Sequence, residues 1–208
     1  MKSYQLLISL SFAGLILLTF LYIRAPSSGM GQKNLILSFF ILICLGGMLA
    51  ASHPQYCNRK SGESSGHHPD CSPFQSHTFT IRNKKYCAGC SGLFVGAVLS
   101  IGLCLTYYLY PLTSPLLFWA GVVMVLVSLF QLNVLKIDLA GVKFIFNLAL
   151  VLGSSLILLS ILEFKPNLSL YFLVLVGLWI YTRTTISATD HDLICSRCPD
   201  TSCPYVKN

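Results

Sequence analysis

Six apolar stretches recur along the chain at 4–23, 34–51, 92–110, 115–135, 142–162 and 168–186. A helix needs about 20 mostly apolar residues to cross the hydrocarbon core of a bilayer, and each stretch is near that length. Together they take up more than half of the 208 residues. What remains is a polar loop at 52–91, a tail at 187–208 and short connectors, too little for a separate soluble domain. The expected fold is an all-α integral membrane protein of six transmembrane helices, with 1–208 forming a single membrane domain. Charged residues make up only 10% of the chain and the mean hydropathy is +0.70, whereas about a quarter of a soluble domain is charged. The first stretch is expected to stay as an anchor. Its apolar run exceeds the roughly 7–15 residues of a signal-peptide core, and its exit, Tyr22-Ile23-Arg24-Ala25-Pro26, lacks a small-x-small cleavage pattern.

The net charge of +7 is scattered through the loops, so it reads as a topology signal and not as a nucleic-acid footprint. With six spans, the face holding the N-terminus also holds the 52–91 loop, the connector near residue 138 and the tail. Eleven of the fourteen basic residues fall there: Lys2, Arg59, Lys60, Arg82, Lys84, Lys85, Lys136, Lys143, Arg183, Arg197 and Lys207. Only Arg24, Lys33 and Lys165 fall on the other. The positive-inside rule makes the first face cytoplasmic, which places the protein in the cell membrane with both termini inside.

That orientation decides how the cysteines are read. Seven of the nine lie outside the spans, in the 52–91 loop (Cys57, Cys71, Cys87, Cys90) and in the tail (Cys195, Cys198, Cys203). In a reducing compartment clustered cysteines bind metal more often than they form stable disulfides, and seven is a poor number for full pairing. Cys87-Ala88-Gly89-Cys90 is a Cys-x-x-Cys in which one tight turn aims two sulfurs at one ion, with Gly89 expected to supply the backbone freedom. Cys195-Ser196-Arg197-Cys198 repeats the spacing in the tail. The two pairs together are expected to form a tetrahedral four-sulfur zinc site, closed to water and therefore structural. Cys57, Cys71 and Cys203, with His53, His67, His68, His77 and His191 nearby, are candidates to complete it or to form a second site. An iron–sulfur cluster is the rival occupant, since Cys195-x2-Cys198-x4-Cys203-Pro204 partly matches ferredoxin spacing. Cys44 and Cys104 sit mid-span and are expected to pack as small hydrophobes.

The spans carry no Asp, Glu, Lys or Arg near their centres, which argues against a charge-coupled transporter. Polar residues gather instead toward the cytoplasmic ends: Gln131, Asn133, Asn147 and the run from Thr182 to Asp190. They are expected to hydrogen-bond between helices, with a shallow polar pocket as the alternative. Gly92, Gly96 and Ser100 recur every four residues and predict a close helix contact.

The stretch 71–96 resembles domain-of-unknown-function family 2085, small prokaryotic membrane proteins with a cysteine near a Ser-Phe element and then Cys-Ala-Arg-Cys-Thr-Gly leading into an apolar helix. Here the corresponding residues are Cys71, Ser76-His77-Thr78-Phe79 and Cys87-Ala88-Gly89-Cys90-Ser91-Gly92, with Gly89 in place of the arginine and Ser91 in place of the threonine. The resemblance implies a shared knuckle at the membrane surface and no particular activity. No nucleotide-binding loop, Ser-His-Asp set or His-Glu-x-x-His helix is present, so no catalytic residue is assigned. The first expectation is a zinc-bearing scaffold, subunit or assembly factor, with the bilayer and other membrane subunits as partners. A redox protein using an iron–sulfur or dithiol centre is the second. An enzyme or transporter for a lipid-like substrate is the third.

Overall fold

A computed structural model describes residues 2–24, 33–52, 77–81, 84–110, 114–133 and 139–196. Six apolar helices dominate it: α1 (Lys2–Arg24), α2 (Lys33–Ser52), α3 (Ala88–Leu109), α4 (Leu116–Asn133), α5 (Ala140–Phe164) and α6 (Ser169–Ser196). Five are long and apolar enough to cross a membrane. Among the described residues α4 contributes a shorter apolar segment, Leu116–Phe130. Large apolar side chains face outward: Leu35, Phe39, Leu42, Leu45 and Leu49 lie exposed along one side of α2. Such a stripe is a liability in water and the expected surface in lipid.

Lipid tails are as apolar as leucine, so helices in a bilayer associate by close packing and interhelical hydrogen bonds. The small residues show where. Helix α5 is the axis, packed along α3 on one side and α4 on the other. On the α3 side, a Cβ added at Gly92 would stand 2.3 Å from the Phe144 carbonyl oxygen, and one at Gly96 would stand 3.1 Å from that of Leu148. The Ser100 hydroxyl donates to the Val151 carbonyl at 3.3 Å. The expected Gly92–Gly96–Ser100 stripe is thus the α3–α5 seam, and its two strands of contact run parallel. On the α4 side, Gly121 and Gly153 face each other, each leaving no room for a Cβ on the other. Ser128 Oγ donates to the Phe146 carbonyl at 2.8 Å. The helix α6 leans instead on α1. There Ser11 Oγ and Thr182 Oγ1 lie 3.1 Å apart, Trp179 Nε1 donates to the Ser11 carbonyl at 3.4 Å, and Tyr171 donates to the Gly14 carbonyl at 3.0 Å. Cys44 and Cys104 are buried in the core, as expected of mid-span thiols.

Three features differ from the sequence reading. The loop before α3 is not plain coil: β1 (Thr78–Ile81) and β2 (Lys84–Cys87) pair antiparallel, with Ile81 opposite Lys84 and Thr78 opposite Cys87. Alternating Thr-Phe-Thr-Ile suits a strand, and Phe79 stacks on Tyr86 with ring centroids 6.2 Å apart. Helix α3 begins at Ala88, four residues ahead of the apolar run, so both cysteines of the motif lie at its start. Helix α6 continues to Ser196, past the 168–186 stretch. No glycine or proline interrupts 187–196, and backbone bonding carries the helix out of the apolar zone.

Candidate functional site

Cys87 is both the last residue of β2 and the N-cap of α3, and Cys90 is the third residue of that helix. The strand delivers the first sulfur to the helix start, and the helix turn brings the second beside it. The cap makes no side-chain hydrogen bond to the first turn, and that turn holds no acidic residue. The positive end of the helix dipole, with its outward N–H groups, therefore acts on the two sulfurs directly. Neither residue is in a disulfide, and both are half-buried.

The neighbouring elements add positive charge. Arg183, twelve residues before Ser196's neighbour Cys195 on α6, extends its guanidinium to the start of α3, within electrostatic reach of Cys90 and Cys87. Its Nε donates to Asn147 Oδ1 on α5, and Asn147 Nδ2 donates to the Lys143 carbonyl at 2.6 Å. The guanidinium sits over Gly89, where an added Cβ would come 3.1 Å from the Arg183 terminal nitrogen and 3.4 Å from Asn147 Nδ2. Gly89 lies in regular helix, so its value is room for a guanidinium and not a special turn.

The hairpin is fastened over the same place. Phe79 meets Phe144 edge-on with ring centroids 6.3 Å apart, and Lys143 Nζ lies 2.8 Å from His77 Nε2. A lysine ammonium at that distance donates to the unprotonated ring nitrogen, so His77 serves Lys143 as an acceptor. Of the polar residues expected at this end, Asn147 with Arg183 and Thr182 with Ser11 bond between helices, and Thr189 turns back to the Ile186 carbonyl of its own helix. Thr184 turns back on its own helix, to the Ile180 and Tyr181 carbonyls.

Of the seven cysteines expected to hold metal, the structure brings Cys87 and Cys90 together. Cys195 lies in the last turn of α6, at the same end of the bundle. Twelve helical residues separate it from Arg183, a rise of about 18 Å. Cys57, Cys71, Cys198 and Cys203, with His53, His67 and His68, lie outside the described residues. Among the described residues no three of His, Cys, Asp and Glu gather closely enough to hold a metal ion. The member of the site to which sequence reasoning gave no individual role is Arg183, grouped with the polar residues expected to bond between helices or to line a shallow pocket at this end. The signal was available, since it falls inside the apolar Pro166–Thr189 segment, where a charged side chain is costly and faces a partner.

No protein-family model, curated protein or solved structure matches the chain.

Proposed function

We propose that this chain is a multi-pass protein of the cell membrane whose Cys87–Cys90 pair is a dithiol redox centre at the cytoplasmic surface. The observation that carries the reading is the placement of both sulfurs in the first turn of α3 with the Arg183 guanidinium beside them. Helix N-termini, neighbouring arginines and the Cys-x-x-Cys spacing each stabilise the anionic sulfur that performs thiol–disulfide exchange. The cytoplasmic assignment rests on eleven basic residues against three.

The chemistry needs no further group. Cys87, at the N-cap of α3, attacks one sulfur of a partner's disulfide as thiolate, forming a mixed disulfide and expelling the partner's other sulfur as thiolate. Cys90 then attacks the Cys87 sulfur and releases the partner's remaining thiol. Two electrons and two protons pass from the pair to the partner, and the reverse sequence reduces the pair again.

Two measurements on the purified chain test this. In mixtures of oxidised and reduced dithiothreitol, the peptide containing Cys87 and Cys90 should interconvert between a dithiol and an internal disulfide two mass units lighter. Cys90→Ser, exposed to oxidised glutathione, should accumulate a mixed disulfide through Cys87. Stoichiometric zinc protecting both cysteines from alkylation, or the absorbance of an iron–sulfur cluster lost in Cys87→Ser, would overturn the reading in favour of a metal knuckle.

A further inference from the structure

We infer that Arg183 is the positioning residue of this dithiol, a cation carried across from α6 that makes the pair a stronger oxidant; the inference rests on the dithiol reading above. The guanidinium is held from two sides. Asn147 accepts from its Nε and is itself tied to the Lys143 carbonyl on α5. The absent side chain of Gly89 leaves the seat for its terminal nitrogen. Helix α6 otherwise leans on α1 and not on α3, so the side chain spans a gap between helices to reach the sulfurs. Among the described residues, Arg183 reaches the Asn147 amide and the Cys87 and Cys90 thiols.

The consequence follows from charge. In the proposed exchange one sulfur of the reduced pair reacts as thiolate, and in the disulfide neither carries charge. A fixed cation therefore lowers the energy of the reduced form alone, and a pair whose reduced form is stabilised takes electrons more readily. Withdrawing the cation should leave the disulfide more stable than in the wild type.

The test is an equilibrium titration of the full chain in detergent against oxidised and reduced dithiothreitol, with the redox state of Cys87 and Cys90 read by alkylation and mass. Arg183→Gln should raise the equilibrium constant for disulfide formation about 3–10-fold, a shift of roughly 15–30 mV toward more reducing potential. Arg183→Lys should recover most of the difference, because the charge remains. Asn147→Ala and Gly89→Ala keep the arginine but disturb its seat, so each should move the constant in the same direction by less. These two variants also stand in if Arg183→Gln folds poorly. A wild type that cycles while Arg183→Gln, or both seat variants, titrate identically to it overturns this inference and leaves the dithiol standing. A wild type that forms no Cys87–Cys90 disulfide in any buffer overturns both.

Discussion

The two ends of the helical bundle hold charge in opposite ways. At one end, Glu163 on α5 accepts a hydrogen bond from Tyr107 on α3 at 2.9 Å and pairs with Lys33 on α2 at 3.4 Å, both through Oε2. Three helix termini are joined there and the charge is neutralised inside the structure. At the other end, Arg183 is anchored by a neutral amide and faces two sulfurs, and Lys143 is set against His77. The carboxylate end uses its charges as fasteners. Among the described residues the thiol end sets its cation against an amide and two sulfurs, and such a cation acts on negative charge that develops nearby. Under the dithiol proposal, the first end is structural and the second is chemical.

The largest effect is expected where both ends depend on the same helix. Gly92→Val drives a branched side chain into the Phe144 carbonyl, which is backbone and cannot swing away. Overpacking of this kind costs roughly 1–3 kcal/mol, and the expected result is at the upper part of that range in unfolding of the detergent-solubilised chain. Because the Phe144 turn also carries Lys143 and adjoins Asn147, the variant should also change alkylation of Cys87 and Cys90. Unaltered thiol reactivity in a destabilised Gly92→Val would show that the α3–α5 seam does not organise the thiol end.

Glu163→Leu comes next. It leaves the buried Tyr107 hydroxyl and the Lys33 ammonium without their acceptor. The ion-pair share is small, since the Lys33 side chain is 42% exposed and such pairs contribute about 0–1 kcal/mol. Orphaning the tyrosine hydroxyl adds about 1–2 kcal/mol. Stability should fall by the sum while the dithiothreitol equilibrium of Cys87–Cys90 stays at its wild-type value. A Glu163→Leu variant that shifts that equilibrium would break the division between the two ends.

Tyr107→Phe removes one interhelical bond and keeps the ring, so a loss of about 0.6–1 kcal/mol is expected in the same unfolding measurement. The smallest effect belongs to Gly102→Ala, also on α3, where an added Cβ meets nothing within 4 Å. Its stability should lie within about 0.5 kcal/mol of wild type. A large loss there would mean that α3 has a further neighbour on that face, beyond α5 and α2.

How much of this was legible beforehand varies with the range of the interaction. The apolar stretches announced helices because crossing a bilayer demands length and hydropathy, both local properties. The Gly92–Gly96–Ser100 spacing announced a seam for the same reason, since one face of one helix is written in four-residue steps. The hairpin was also written locally, in Thr78-Phe79-Thr80-Ile81, but a loop read for its charges and cysteines hid the alternation. Cys87 and Cys90 were recognisable as a pair by spacing. Their company was not, because Asn147 and Arg183 stand on other helices, and nothing in the order of residues says which helix faces which.

Gly89 shows the boundary most clearly. Sequence logic assigns a glycine between two cysteines to backbone freedom, and the structure assigns it to space for a guanidinium 94 positions further along the chain. The sequence by itself determined that this protein is a bundle of apolar helices with paired thiols at a helix boundary, since those properties reside in hydropathy, spacing and chain length. Only the tertiary structure decided that α5 would be the axis, that Glu163 would be neutralised and that Arg183 would come to rest beside the sulfurs. Those outcomes depend on which side chains leave room for which, and room is a property of packed helices together.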